Sequence, residues 1–239
     1  MIERKLSLVF NDEELSEKRK FPRFPFTALS FKPQDFSHAL KVKDISLSGM
    51  QCLLVDAPMD VTIGDRIQGK IHWKRNELKI QAKVSWKKES TLGIEFILNR
   101  DEEEELRKFL SFEQMAKNTI SMFSAHQKND YSHQLQNWLS ADGVFELFVW
   151  GDSQLTISHF HILILETLIE WTEDKGFKTG KLKSKRNIET PLYIESECDY
   201  ILDREFDIAK LHMAFGVIEL LSPNQISTDL KSFILNRPL

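Results

Sequence analysis

From Phe26 to Phe96 short apolar-rich runs alternate with turn residues, the pattern of a small β barrel or sandwich. The alternation predicts strands over Phe26–Lys32, Leu40–Ile45, Met50–Val55, Arg66–Trp73, Leu78–Lys87 and Thr91–Ile97. Turn chemistry separates them at Ala57-Pro58-Met59-Asp60, Ile63-Gly64-Asp65 and Arg75-Asn76. Between Leu78 and Trp86 every second residue is apolar, so one face of that strand is buried and the other wet. Trp73 and Trp86 read as core or rim aromatics.

Beyond Phe96 the period changes. Asp101 to Glu105 is an acidic run, and Leu106, Phe109, Leu110, Met115, Ile120 and Phe123 follow at helical spacing. One helix closing the barrel is expected, its acids at the dipole-favoured N-terminal end. Ser124 to Ser132 is polar and aperiodic, a linker or the end of that helix. In the second half, Val144–Trp150 and Gln154–Ser158 read as strands joined at Gly151-Asp152-Ser153. Phe160, Leu163, Ile164, Leu168 and Trp171 predict a helix stopping at Gly176. Strands are expected over Phe177–Leu182, Leu192–Glu195 and Val217–Leu221, and helices over Phe206–Phe215 and Leu230–Leu235. The half reads as α+β.

Composition narrows the class. The chain has 239 residues, 41% hydrophobic and 28% charged, room for one large or two small globular domains. A net charge of −4 gives no overall attraction to nucleic acid or an anionic membrane. Cys52 and Cys198 are too few for a disulfide framework and read as reduced thiols. There is no signal-like apolar stretch after Met1-Ile2-Glu3-Arg4-Lys5 and no apolar run of spanning length, so a cytoplasmic protein without membrane insertion is expected. Leu6 to Phe10 is a short apolar run, an added strand or a docking segment.

The candidate chemistry lies between Glu17 and Gly49. Arg19 and Arg23 stand four apart in a segment that Pro22 and Pro25 keep out of helix. Lys43-Asp44-Ile45-Ser46-Leu47-Ser48-Gly49 then ends a strand with an acid, a hydroxyl and a glycine. Guanidinium forks fit phosphate oxygens or the O6/N7 edge of guanine. A carboxylate can accept from guanine N–H groups, a serine can donate to phosphate, and glycine permits close backbone approach or a positive φ. Taken singly, Lys18 to Arg23 reads as a solvated tail, Asp44 and Ser46 as turn or cap residues, and Gly49 as a turn glycine. An anion that carries guanines would satisfy all of them.

Arg19-x-x-x-Arg23 followed by Asp44-x-Ser46-x-x-Gly49 resembles the paired signature of PilZ domains, bacterial receptors for cyclic di-GMP. Leu92-Gly93-Ile94-Glu95-Phe96 followed by a helix is similar to the end of that family's barrel. The resemblance covers roughly Ser16 to Ser111 and implies a PilZ-like β barrel of six antiparallel strands with a closing helix; the second, α+β domain that follows lies outside it. The expected division is an N-terminal segment (1–15), the barrel (16–112), a helix or linker (113–133) and an output or interaction domain (134–239). It also implies that Arg19 and Arg23 hold guanine edges and phosphates, that Asp44 and Ser46 contact guanine and the phosphate ring, and that Gly49 shapes the turn. Lys18 falls where the family sets how many ligand molecules are held. The implied role is a receptor in motility or biofilm control, with cyclic di-GMP as ligand, no cofactor, and a protein partner engaged through the C-terminal domain.

The rest of the chain offers little other chemistry. His159 and His161, with Glu166 beyond, lack metal-site spacing and read as structural or surface groups. Asp199, Asp203, Glu205 and Asp207 read as a solvated helix start rather than a cation site. Lys181 to Arg186 is a basic cluster read as a surface loop. No Walker loop, nucleophile elbow, CxxC or HExxH occurs, nor the GGDEF or EAL sequences of cyclic di-GMP enzymes, so no catalytic residue is expected. Two rival readings are a ligand-independent adaptor of pilus or flagellar machinery and a nucleic-acid binder using the basic segments. Intact signature residues weigh against the first and the acidic net charge against the second.

Overall fold

The computed structural model describes residues 29–54, 60–122, 135–142, 144–151, 156–182 and 200–238. Two compact units divide the chain, one formed by Glu17–Ser111 and the other containing Phe112–Leu239. No helix among the described residues is long and apolar enough to cross a membrane.

In the first unit, β1 (Leu29–Pro33), β2 (Leu40–Ile45), β3 (Gly49–Leu53), β4 (Arg66–Trp73), β5 (Asn76–Lys88) and β6 (Thr91–Phe96) form a closed barrel in the order β1-β2-β3-β6-β5-β4. Every neighbouring pair is antiparallel. Alternation does the sorting: Leu78, Ile80, Ala82 and Val84 of β5 are buried while Lys79, Gln81 and Lys83 face water. Phe31, Ile45, Ile71, Trp73 and Leu92 fill the interior.

Helix α1 (Arg100–Phe109) follows β6 and begins with a reciprocal cap. Asn99 Oδ1 accepts from the Glu102 amide at 3.0 Å, and the Asn99 amide donates to Glu102 Oε2 at 2.8 Å. Leu106 and Phe109 are its buried residues, and the Phe109 ring meets Trp73 edge-on at 6.0 Å. This is the closing helix. Leu106→Ala should therefore cost about 2–5 kcal/mol. A denaturant midpoint of the full chain, followed by a barrel-specific probe, checks this; an unchanged midpoint would mean that the helix does not seal the barrel.

The expected single helix to Phe123 is interrupted. α1 ends at Phe109, Ser111 separates it from α2 (Phe112–Asn118), and Ile120 lies exposed in β7 (Ile120–Ser121). Side chains end α2: Asn118 Nδ2 donates to Gln114 O at 2.9 Å and Thr119 Oγ1 to Met115 O at 2.9 Å.

In the second unit β7, β8 (Leu135–Ala141), β9 (Phe145–Gly151), β10 (Ile157–Ile164), β11 (Thr167–Thr172), β12 (Gly176–Leu182) and β13 (Tyr200–Leu202) pair in sequence order as one antiparallel sheet. Helices α3 (Ile208–Leu220) and α4 (Thr228–Leu235) pack on one face. Phe177 meets Phe215 at 6.0 Å and Trp171 meets Phe233 at 5.5 Å, both edge-on.

Several expectations are corrected here. The strand placed at Gln154–Ser158 is β10, which starts at Ile157 and runs to Ile164. The helix placed at Phe160–Trp171 is the β10–β11 hairpin, turned by Leu165 (φ 55) and Glu166. Both faces of these strands carry apolar side chains, so period two is lost and a helical spacing arises by chance. Gly176 (φ 67) turns β11 into β12 instead of ending a helix. The strand placed at Val217–Leu221 is the continuation of α3. Gly216 lies inside that helix, where a Cβ would come 3.3 Å from the Phe112 ring of α2; it allows two helices to approach.

The acidic stretch is a helix start. Asp207 Oδ1 accepts from Ala209 N at 2.9 Å, and Asp203 holds Lys210 Nζ at 2.7 Å. The expectations at Leu6–Phe10, Phe123, Ser124–Ser132, Lys183–Arg186, Leu192–Glu195 and Asp199 lie outside the described residues.

Candidate functional site

Asp44, Ser46 and Gly49 gather at the β2–β3 turn. Counting inward residues from Leu40 and Val42, strict alternation would point Asp44 into the core. A bulge prevents this: Val42 pairs with Cys52 but Asp44 with Gln51, so one extra residue sits on β2. Ile45 takes the interior place and Asp44 is left half-exposed beside exposed Lys43. The carboxylate thus belongs to the outer face.

Ser46 closes the turn. Its amide donates to Gly49 O at 2.8 Å, its hydroxyl donates to the same oxygen at 3.2 Å and accepts from the Ser48 amide at 3.3 Å. The side chain is buried and stands 3.2 Å from the Ser48 hydroxyl. In this state Ser46 shapes the turn. Gly49 serves close approach, without a positive φ. It pairs with Glu95, and a Cβ there would lie 2.2 Å from Ile94 O.

The surrounding outer face is mixed in charge. Glu95 of β6 faces out between Gly49 and Lys83, and Ser85 Oγ donates to its carboxylate at 3.4 Å. A second bulge, between Val84 and Trp86, breaks the alternation of β5 and leaves Trp86 on the rim. Its indole fills the space where a Cβ of Gly93 would stand, 2.1 Å away, and Lys88 Nζ sits 5.7 Å from the ring centre. Neither bulge has a sequence mark. Lys18, Arg19 and Arg23 lie outside the described residues.

Cys52, on β3 behind Asp44, is buried. Burial first and the Asp44 charge second push its thiol far above the usual range. In a Cys198→Ser chain at pH 8, Cys52 should resist thiol reagents until denaturant is added. Rapid stoichiometric labelling of the folded chain would contradict this.

The barrel, its closing helix and the motif-bearing turn coincide with one family. Residues 17–112 match the PilZ domain family model. No family model matches the second half. No curated protein matches the chain. Among solved structures it is similar to the PilZ domain with c-di-GMP of YcgR from Escherichia coli. That likeness has 19% identity and a TM-score of 0.35, covering 39% of this chain and 89% of that one. It is also similar to the PilZ domain of CeSA from a cellulose-synthesizing bacterium, at 15% identity and TM-score 0.31, covering 38% and 94%. A third is the Borreliella burgdorferi PlzA protein in complex with c-di-GMP, at 12% identity and TM-score 0.25, covering 84% and 88%.

Outside the PilZ match, the second unit holds a ring cluster around His159 and His161. His159 and His161 share one face of β10, because residues two apart on a strand point the same way. Trp150 stacks on His159 at 4.5 Å and meets His161 edge-on at 4.9 Å. His161 Nε2 lies 3.5 Å from Glu170 Oε2. Among the described residues no three His, Cys, Asp or Glu side chains group as metal ligands would.

Burial, then the neighbouring His161, lowers the His159 pKa from 6.5, against a smaller opposing effect of Glu170. The His161 hydrogen bond lowers that of the Glu170 carboxyl. For His159 the unfolded chain binds the proton more readily, so stability falls as pH drops through 6.5. For Glu170 the loss comes only as pH falls below 4.5. The thermal midpoint of the second unit should be lower at pH ~5.5 than at pH ~7.5, and His159→Gln should flatten that dependence. Equal pH slopes in the two proteins would rule out His159 as the cause.

Proposed function

We propose that this protein is a bacterial, cytoplasmic receptor for cyclic di-GMP that passes the signal to its C-terminal domain. The observation that carries the reading is that both motifs fall inside the PilZ match, with Asp44 turned outward by a bulge at the same turn as Ser46 and Gly49. Arg19 and Arg23 grip the two phosphates and guanine edges, and Asp44 accepts from a guanine. Ser46 and Gly49 hold the turn against the ligand, and Lys18 sets the number of ligands held. No cofactor or catalytic step enters.

The phosphates neutralise the like charges of Lys18, Arg19, Lys20 and Arg23 and draw that segment onto the barrel edge beside Asp44. Surfaces shared by the N-terminal segment and the second domain change with it, so the ligand biases one arrangement of the domains over another. The second domain then engages a protein partner in motility or biofilm control; nucleic acid has no part.

Thermal unfolding of the full chain with cyclic di-GMP tests the reading. A ligand that binds only the folded state raises its midpoint, by about 2.7 kcal/mol of stabilisation at a hundred times Kd. The expected result is a saturable rise with cyclic di-GMP, a smaller one in Asp44→Ala, and none with GMP at equal concentration. No rise in the native chain would favour the ligand-independent adaptor.

A further inference from the structure

The barrel's outer face carries a surplus of positive charge. Residues 66–88, the β4–β5 hairpin, hold eight lysines and arginines against one acid, Glu77, in a chain of net charge −4. The register sets these cations against one another. Lys32, Lys70 and Lys79 are successive cross-strand partners on β1, β4 and β5, and Arg66 is paired with Lys83. All alternate with buried neighbours and so project outward. Lys70 Nζ bonds Glu77 Oε1 at 2.8 Å, Lys32 Nζ donates to the Phe36 and Ser37 carbonyls, and Glu95 flanks Lys83 on β6. Arg66, Lys79 and Lys83 stay exposed. Like charges directly opposite on a sheet destabilise it. Lysines often guard a sheet edge, but a closed barrel has no edge to guard. The Arg66–Lys83 and Lys70–Lys79 pairs therefore call for a role outside the fold.

Two exposed isoleucines border these cations. Ile97, 40% exposed, donates its amide to Gln81 O at 2.8 Å, which puts it level with the space between Lys79 and Lys83. Ile63, 67% exposed, stands in the turn that leads into Arg66, where the Gly64 amide donates to Val84 O of β5 at 2.9 Å.

We propose that this face docks the barrel peripherally on an anionic lipid surface, the cations over the headgroups and the two isoleucines dipping between them. Clusters of about 4–8 lysines and arginines are attracted to anionic lipids. Screening confines that attraction to charges within about 10 Å of the surface, so the local surplus outweighs the net charge of the chain. Lysine predominates here, and a hydrated ammonium on a flexible stem suits a layer of laterally mobile charges; fixed phosphates are gripped better by the arginine fork. No aromatic residue stands in the Lys32–Lys70–Lys79, Gln68–Gln81 and Arg66–Lys83 rows for a base to stack on. Exposed isoleucines beside the cations add the apolar contact that a membrane interface accepts. The proposal goes beyond the receptor reading and does not rest on it.

The test is cosedimentation of the full chain with vesicles of phosphatidylglycerol and phosphatidylcholine, and with phosphatidylcholine alone. Binding is expected to the first only, and raising salt from ~0.1 M to ~0.5 M should remove most of it. Lys70→Gln combined with Lys79→Gln should weaken binding at least ~10-fold, since each cation near an anionic surface contributes about a factor of five. The control, Lys117→Gln combined with Lys175→Gln, removes the same charge from exposed positions of the second unit and should change binding less than ~2-fold. Both should keep the native dichroism spectrum, because all four side chains lie outside the core. Ile97→Ser should weaken binding at least ~3-fold at low salt. No binding to the anionic vesicles, or equal effects of the two double variants, would overturn the proposal. Unchanged binding of Ile97→Ser would overturn its apolar part. Retention by duplex DNA or polyglutamate but not by vesicles, lost in the Lys70 and Lys79 variant, would assign the face to nucleic acid or an acidic protein instead.

Discussion

Arg23→Ala should lose saturable cyclic di-GMP binding while the chain keeps its dichroism spectrum and thermal midpoint. A guanidinium reaching a phosphate or a guanine edge makes charge-assisted hydrogen bonds worth about 1.5–3 kcal/mol each. Losing a two-bond fork weakens affinity by roughly 10²–10⁴, since each 1.4 kcal/mol is tenfold. The charge alone is not enough. Lysine keeps the positive charge but not the planar fork, so Arg23→Lys should fall between alanine and the native chain. The fold should survive because Arg23 precedes β1 in the sequence and is charged, between Pro22 and Phe24. Unfolding of Arg23→Ala would assign the arginine a structural role and remove this support for the receptor reading.

Gly49→Ala should act through the fold instead. The added Cβ would stand 2.2 Å from Ile94 O and 3.3 Å from the Glu95 Cα, both backbone atoms of the paired strand. No rotamer can relieve that clash; β3 and β6 must separate or the turn must shift. The expected loss is about 3 kcal/mol, read as a lower denaturant midpoint of the barrel. Gly64 provides the contrast. Nothing stands within 4 Å of its would-be Cβ, but its φ is +102. Gly64→Ala should therefore cost only the backbone strain, about 1–2 kcal/mol. A Gly49→Ala midpoint no lower than that of Gly64→Ala would show that close approach is not what position 49 demands.

Much of the barrel was legible because its strands have one wet face. Leu40–Ile45 and Arg66–Trp73 match the expected strands end for end, and the other four differ at their boundaries. Period two and turn residues carry that information directly. What alternation could not convey is where it breaks. The bulges at Lys43 and Ser85 turn Asp44 outward and Trp86 to the rim, and both depend on pairing with a neighbouring strand.

The second half was less legible for a related reason. β10 and β11 are apolar on both faces, so Phe160 to Trp171 mimics a helix stripe, and the Leu165-Glu166 turn contains neither glycine nor asparagine. β-Branched residues at Ile157, Ile162, Ile164, Thr167 and Ile169 were the available counter-signal. The helix expected to end at Phe215 runs through Gly216, a glycine kept for helix contact. At the candidate site the residue types were legible as a motif. The occupation of the Ser46 hydroxyl by its own turn was not, because it depends on where Gly49 O lies.

The central claim is direct recognition of cyclic di-GMP, and the most direct test is a calorimetric titration of the dinucleotide into the unmodified full chain. A saturable heat is expected, with a stoichiometry of one ligand or an intercalated pair per chain. A flat titration of a chain confirmed as folded would contradict it and leave the barrel as a scaffold.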